Sequence, residues 1–237
     1  MDRVRLMNRT DTKFILNSRE FLDILLTVKD HYRILEVEGH RQSRYRTLYY
    51  DTADFYHFRN HQNGKLNRFK IRKRAYIESR LAFLEVKFKS NKDRTIKKRI
   101  PLPIIQEELT ENEMQFIDER TKSSTLLEPK LWNAFARITL VNNHSPERLT
   151  IDCNLSFQHG DDIVSMDDLV IAEVKQESES RSSPFIHELK NRIIRPEGIS
   201  KYCLGVTLLY PHVKNNNFKE KLLRIKKVTA IHDPAFV

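Results

Sequence analysis

Runs in which cationic and apolar residues alternate recur along this chain, and they constrain its fold more than any other feature. In the stretch RFKIRKRAYIESRLAFLEVKFK, residues 68–89, a strand's period of two puts Arg68, Lys70, Arg72 and Arg74 on one side and Phe69, Ile71 and Ala75 on the other, with Lys73 the exception. The second half repeats the division, with Leu84, Val86 and Phe88 opposed to Glu85, Lys87 and Lys89. Lys97 and Arg99 share a side, as do Arg9, Asp11 and Lys13. Arg148, Thr150, Asp152 and Asn154 lie opposite Leu149, Ile151, Cys153 and Leu155, and Glu173 and Lys175 lie opposite Val170, Ala172 and Val174.

One such strand is an ordinary solvated sheet face. The set is not, because like charges across neighbouring strands repel. The faces together carry Arg9, Lys13, Arg68, Lys70, Arg72, Arg74, Lys87, Lys89, Lys97, Arg99, Arg148 and Lys175 against only Asp11, Glu85, Asp152 and Glu173. Such an excess needs a neutralising partner, so these faces are expected to point into a water-filled space that holds a polyanion. Arginine forks suit bidentate phosphate contacts, and lysines supply point charges. A net charge of +10 over 237 residues agrees, and by itself admits nucleic acid, acidic lipid head groups or phosphorylated small molecules.

Strands are expected around Arg9–Ile15, Tyr45–Tyr50, Leu66–Tyr76, Leu81–Lys89, Thr95–Ile100, Arg148–Leu155 and Leu169–Lys175, approaching the ~8 that close a small barrel. Phe21, Ile24, Leu25 and Val28 recur at helical spacing behind a capping box of Asn17 and Glu20. Further helices are expected over about Glu107–Arg120, Leu126–Ala136, from Ser183-Pro184 through Ile193, and over Ser200–Leu209. The single domain spans residues 1–210, and 211–237 read as a basic tail with a loosely attached helix built on Phe218, Leu222 and Ile225. Only 5 glycines and no repeat argue against a linker. No apolar run approaches the ~20 residues of a membrane span, and the first residues lack a signal peptide's apolar core, so a cytoplasmic protein is expected. Cys153 and Cys203 form no metal motif and read as reduced, buried side chains.

Among the acids, Glu173 in AEVK is the best candidate for a hard cation, since Mg²⁺ or Mn²⁺ binds through one or two carboxylates plus substrate phosphates. Glu85 in LEVK echoes it, with simple pairing to a neighbouring lysine as the alternative.

The segments RTDTKF, LYYDT, KIRKRAY, FLEVKFK, RLTIDCNLSF, VIAEVK and ISKYCLG, in this order between about Arg9 and Gly205, resemble the vacuolar transporter chaperone (VTC) type of polyphosphate polymerase domain, a CYTH-like member of the triphosphate tunnel metalloenzymes. The resemblance implies an α+β fold, an eight-stranded antiparallel β-tunnel with helices packed on the outside. It further implies ATP and polyphosphate or another triphosphate as partners, Mn²⁺ or Mg²⁺ as cofactor, and transfer of the γ-phosphate of ATP to a growing chain. Lys13, Arg72, Arg74, Lys87, Lys97, Arg137, Arg148 and Lys201 match its phosphate-binding positions, and Glu173 matches its metal-binding glutamate. Lys13, Arg72, Arg74, Lys87, Lys97, Arg148 and Lys201 are thereby assigned to catalysis, and Lys175 joins Arg72, Arg74, Lys87, Lys97, Arg137 and Arg148 in holding the nucleotide phosphates.

The opening strand departs from hydrolytic relatives, reading Arg9-Thr10-Asp11-Thr12-Lys13 where they carry Glu-x-Glu-x-Lys. Fewer carboxylates weaken metal-assisted activation of water, which favours the polymerase over a triphosphatase. A non-catalytic RNA- or polyanion-binding module is the remaining alternative. It is disfavoured because the cationic strands hold few aromatic residues for stacking, and Phe69 and Phe88 fall on the apolar side. Neither a membrane-protein partner nor an oligomeric state is readable from the sequence.

Overall fold

In the computed structural model, which describes residues 10–92, 94–177 and 183–229, the chain runs β1 (Thr10–Asn17), α1 (Ser18–Val28), β2 (Tyr32–Ile34), β3 (Gln42–Asp51), α2 (Tyr56–Gln62), β4 (Arg68–Tyr76), β5 (Leu81–Lys89), β6 (Thr95–Leu102), α3 (Glu111–Thr121), β7 (Glu128–Asn142), β8 (Glu147–His159), β9 (Asp162–Met166), β10 (Leu169–Gln176), α4 (Pro184–Asn191), α5 (Lys201–Leu209) and α6 (Lys219–Thr229). Arg9 of the expected first strand lies outside the described residues.

The strands form one antiparallel ten-stranded sheet in the order β1-β10-β8-β7-β3-β4-β5-β6, with β2 on β7 and β9 on β8. This corrects the expectation of a closed eight-stranded tunnel. The hydrogen-bonded path ends at β1 on one side and β6 on the other, and among the described residues these two edges do not pair. The β6 edge is one that resists pairing: Thr95 through Arg99 are exposed, Lys97, Lys98 and Arg99 charge it, and Pro101 removes a donor.

The sheet is nevertheless strongly curved. Lys13 of β1 donates to the Ile199 carbonyl at 3.1 Å, and Lys70 of β4, five strands away along the ladder, donates to the Ser200 hydroxyl at 3.0 Å. One short segment thus bridges distant strands across the concave face.

The convex face is apolar and covered by helices, as the alternation predicts. Phe14, Leu16, Leu149, Ile151, Val170, Ala172 and Val174 pack under α1 and α4, and Leu48, Tyr50, Ile71, Leu84 and Val86 pack under α3. Asn17 caps α1 with the expected box, its side chain accepting from the Glu20 amide at 2.8 Å while the Glu20 carboxylate accepts from the Asn17 amide at 3.2 Å. Lys73, which broke the alternation, belongs to this convex side. Its amine donates to the carbonyls of Gln106 at 2.9 Å and Glu108 at 2.8 Å and pairs with Glu113 at 3.0 Å, so a buried ammonium ties the lead-in of α3 to β4.

Three expectations change. The helix expected at Leu126–Ala136 is part of the strand β7, paired to both β3 and β8. Leu127, Leu131 and Phe135 recur every four residues, which suits a helix but is also an even number, so that in a strand Leu131 and Phe135 share a face. The helix expected from Glu107 begins only at Glu111, where Thr110 and Glu113 form its capping box. The helices are not all outside: α5 lies against the concave face, packing Tyr202, Cys203, Val206 and Leu209 on Ile15, Leu131, Phe135, Leu155 and Phe157.

A bulge makes this last arrangement work. Asn154 has φ 52°, and the β7–β8 register shifts between Ala134 and Ala136. Leu149, Ile151 and Cys153 therefore face the convex side, whereas Leu155 and Phe157 turn to the concave one, opposite to the expectation for Leu155. The concave face is consequently divided into a charged half and an apolar half that α5 covers. Helix α5 sits so close that a Cβ on Gly205 would lie 2.7 Å from Phe157 Cδ1 and 3.0 Å from Leu131 Cδ2.

Helix α6 is not loosely attached. Phe218 and Ile225 enter the same core, Asn17 donates to the Val228 carbonyl at 3.2 Å and Lys221 to the Gly198 carbonyl at 2.6 Å. Residues 230–237 of the expected tail lie outside the described residues.

A cationic basin as candidate functional site

The uncovered half of the concave face is a basin built from two groups of strands. On β3, β4, β5 and β6 the register places Tyr49, Arg72, Glu85 and Arg99 in one row and Lys70, Lys87 and Lys97 in the next. Glu85 is fully buried and binds the Arg72 guanidinium through Nε at 2.8 Å and the Lys97 amine at 3.2 Å. Burial would raise its carboxyl, but Arg72, Arg74 and Lys97 hold it down at about 2. Glu85 pairs not with its neighbouring lysine in LEVK, Lys87, but with Arg72 and with Lys97 on the adjoining strand.

On β1, β10, β8 and β7 the rows are Lys13, Glu173 and Thr150, and then Asp11, Lys175 and Arg148. Glu173 pairs with Lys175 and lies 3.9 Å from Lys13, while the Thr150 hydroxyl reaches it at 3.4 Å. Burial opposes ionisation here too, and Lys175 and Lys13 overcome it, leaving the carboxyl at about 2. Asp11 shares Lys175 at 3.4 Å. Next along the face, Arg137 grips Asp152 with both nitrogens, at 2.5 and 2.7 Å, and the Lys201 amine from α5 joins the same carboxylate. Asp152 is held well below the usual carboxylate range against its burial, chiefly by Lys201 and Arg137.

The two groups meet at the start of α5. Ser200 caps this helix, accepting from the Cys203 amide, and Lys13, Lys70 and Lys201 gather around it. Crowding of cations shows in their amines. Burial first, then Lys13, Arg68 and Arg72, push Lys70 down to about 7. Burial pushes Lys201 down to about 8 in spite of Asp152, and Arg72 followed by burial lowers Lys87 well below its usual range. Burial and Arg72 bring Arg74 to about 10.

All of the sequence-predicted site residues, Lys13, Arg72, Arg74, Lys87, Lys97, Arg137, Arg148, Glu173, Lys175 and Lys201, therefore project into one basin. Two further residues take part. Lys70 lies two residues from Arg72 on the same strand face, a parity that already marked it. Asp152 is the internal counter-ion of Arg137 and Lys201, a role visible only once α5 is folded over. A third feature carried no sequence signal: Tyr45 and Phe135 stack at 4.9 Å, with the Arg74 guanidinium 5.4 Å from each ring and the Lys201 amine 4.4 Å from Phe135.

Asp51 of LYYDT, by contrast, is structural. The Asp51 carboxylate is buried and accepts from the amides of Thr52, His57 and Phe58, each at 2.8 Å, and from the Tyr202 hydroxyl, which fastens α2 and α5 to the end of β3.

Fold and basin together define an α+β protein whose curved antiparallel sheet presents a dense, partly self-neutralised cationic surface. The chain belongs to the VTC domain family, whose model matches residues 8–210. Its fold is similar to that of a Bacillus halodurans adenylate cyclase candidate, at TM-score 0.54 and 13% identity over 86% of this chain and 100% of that one. It is also similar to the adenylyl cyclase candidate HpAC1 from Hippeastrum, described by a dominant triphosphatase activity, at TM-score 0.51 and 15% identity over 85% of this chain and 96% of that one. No curated protein matches the chain.

Proposed function

We propose that the protein is an ATP-dependent polyphosphate polymerase that works on the concave cationic face. What supports this reading most directly is the convergence of the basic side chains, from β1, β4, β5, β6, β7, β8, β10 and α5, on one basin in a VTC family member. The terminal phosphate oxygen of a polyphosphate chain attacks the γ-phosphorus of ATP; the bond from that phosphorus to the β,γ-bridging oxygen breaks, and its electron pair leaves with ADP. Charge stays on oxygen throughout. The protein's task is to align the two phosphates and to offset the charge spread over the transferring group, for which arginine forks and lysines from several directions suffice. No base is needed, since the attacking phosphate oxygen is already ionised near neutral pH.

Glu173 is the carboxylate that would hold a Mn²⁺ or Mg²⁺ ion. Among the described residues no three Asp, Glu, His or Cys side chains cluster, so such an ion would draw its other ligands from phosphate oxygens and water, the usual habit of Mg²⁺. When bound, it would add positive charge beside the transferring phosphate. Lys13 and Lys175, which now neutralise Glu173, would turn to phosphate oxygens.

The same basin with water as acceptor would be a triphosphatase, the activity attributed to the Hippeastrum protein. For RNA the basin is poorly equipped, because its stacked Tyr45 and Phe135 rings are flanked by Arg74, Arg137 and Lys201 rather than open to bases. Incubation with ATP and Mn²⁺, with products resolved on a gel, tests the proposal. A ladder of phosphate chains is expected, lost in Arg74→Ala and Glu173→Gln; free phosphate alone would refute polymerisation.

A further inference from the structure

Ser200 and Lys70 form a pair that transfer between phosphates does not use. The Lys70 amine on β4 and the Ser200 hydroxyl ahead of α5 are 3.0 Å apart. Capping explains one of the hydroxyl's two bonds, the one it accepts from the Cys203 amide at 3.4 Å. Among the described residues its other partner is Lys70, so the hydroxyl hydrogen has the amine nitrogen to face. A serine within hydrogen-bond reach of an amine is the arrangement of Ser–Lys nucleophiles, in which the uncharged amine takes the hydroxyl proton. Burial, followed by Lys13, Arg68 and Arg72 and opposed by Cys203, brings the Lys70 amine to about 7, so on the alkaline side of neutrality much of it holds a free lone pair.

The pair lies at the edge of the basin. Lys70 is half-buried on the strand face that carries Arg72 and Arg74. The Lys13 side chain, which donates to the Ile199 carbonyl next to Ser200, is 36% exposed, so solvent reaches this end of the site. Lys201 follows Ser200, and the first-turn amides of α5 have no acceptor within the helix. A phosphate on Ser200 would therefore stand among Lys13, Lys70 and Lys201 at the positive end of a helix, where its charge is answered.

We propose that Ser200 is a self-phosphorylation site: its Oγ attacks the γ-phosphorus of an ATP held in the basin, the bond from that phosphorus to the β,γ-bridging oxygen breaks and its electron pair leaves with ADP, and the hydroxyl proton passes to the Lys70 amine. The step rests on the reading of the basin as an ATP site. Unlike a phosphate oxygen, a hydroxyl is not ionised near neutral pH, which gives Lys70 a task that chain growth does not require.

The test incubates the full chain with Mg²⁺ and ATP labelled in its γ-phosphate at about pH 8.5, above the value at which Lys70 loses its proton. Denaturing electrophoresis then removes nucleotide and free chains, and peptide mass spectrometry locates the label. Phosphate on Ser200 is expected. Ser200→Asn keeps a capping side chain without a nucleophile and should stay unlabelled. Lys70→Arg keeps the charge but cannot accept the proton, and should label at least ~100-fold more slowly, the usual contribution of a general base. Rates are compared at saturating ATP, set for each variant by calorimetric titration. The inference is overturned if the wild type binds ATP but stays unlabelled, if the label lies on another residue, or if either variant labels at the wild-type rate. Phosphate chains made by an unlabelled protein would overturn this inference alone, whereas phosphoserine in a protein that makes no chains would overturn the polymerase reading alone.

Discussion

The basin's lysines carry a quantitative consequence for pH. At pH 8 an amine at about 7, as for Lys70, is roughly one-tenth protonated, and one at about 8, as for Lys201, is half protonated. A bound polyanion favours the charged form of both, so binding must draw protons from solvent, about 1.4 from these two residues. Lys87, also lowered, adds to that number. Near pH 8 the affinity should then weaken roughly 25-fold for each unit that pH rises. The measurement is calorimetric titration with ATP in the absence of divalent ions, in buffers of different ionisation enthalpy. ATP is a suitable ligand because its terminal phosphate, with a second pKa near 6, has already lost its proton at pH 8. Lys70→Arg, charged at all accessible pH, should lower the uptake by about 0.9 proton. The stability of the free protein depends on pH in the opposite sense. The folded pKa of each of these lysines lies below its unfolded value of about 10.4, so the unfolded chain binds more protons across that interval. Stability should rise as pH increases from 7 towards 9.5 and be lost as pH falls through about 8 and 7, and bound ATP should flatten the profile. Zero proton uptake at pH 8, or an uptake unaltered by Lys70→Arg, would refute the idea that the basin crowds its cations enough to discharge them.

Two substitutions probe the framework. Glu85→Gln leaves Arg72 and Lys97 facing a neutral amide at a fully buried position, which should cost about 3–5 kcal/mol, or roughly 6–20 °C in melting temperature for a chain of this size. Because a polyanion can take over the lost neutralisation, tripolyphosphate should raise the melting temperature of this variant more than that of wild type, and equal shifts in thermal denaturation would contradict it. Gly205→Ala inserts a Cβ 2.7 Å from Phe157, itself fully buried, and should destabilise by about 1–3 kcal/mol in a urea titration while the basin residues keep their positions; a stability equal to wild type would mean that α5 does not pack as closely as described.

Most of the basin was legible because its information is local. The period of two in KIRKR, LEVKFK and AEVK assigns each side chain to a face without knowledge of partners, and the structure puts Arg72, Arg74, Lys87 and Glu173 where parity puts them. Parity fails where the chain inserts an extra residue. Nothing in RLTIDCNLSF announces that Asn154 turns left-handed, yet that bulge reverses Leu155 and Phe157 and so creates the apolar half that receives α5. The strand β7 was misread for a related reason, since Leu127, Leu131 and Phe135 satisfy two periods at once and only the neighbouring strands β3 and β8 decide between them. Closure is a non-local property as well. Whether β1 and β6 meet depends on accumulated twist and on an edge loaded with Lys97, Lys98 and Arg99, not on any motif.

The acids of the basin suggest how so many cations fold together before any anion arrives. Each cluster of cations contains its own carboxylate, Glu85 for Arg72 and Lys97, Asp152 for Arg137 and Lys201, and Glu173 for Lys13 and Lys175. These three are held strongly ionised by their neighbours, Glu85 and Glu173 at about 2, so they act as built-in counter-anions across the whole physiological range. An incoming phosphate chain has to compete with them, and a single phosphate replaces only one, whereas a chain of linked phosphates can satisfy several cation groups at once at the entropic cost of a single association. If the basin takes polyphosphate as proposed, this spacing of carboxylates along the concave face would make chain length itself the quantity that it discriminates.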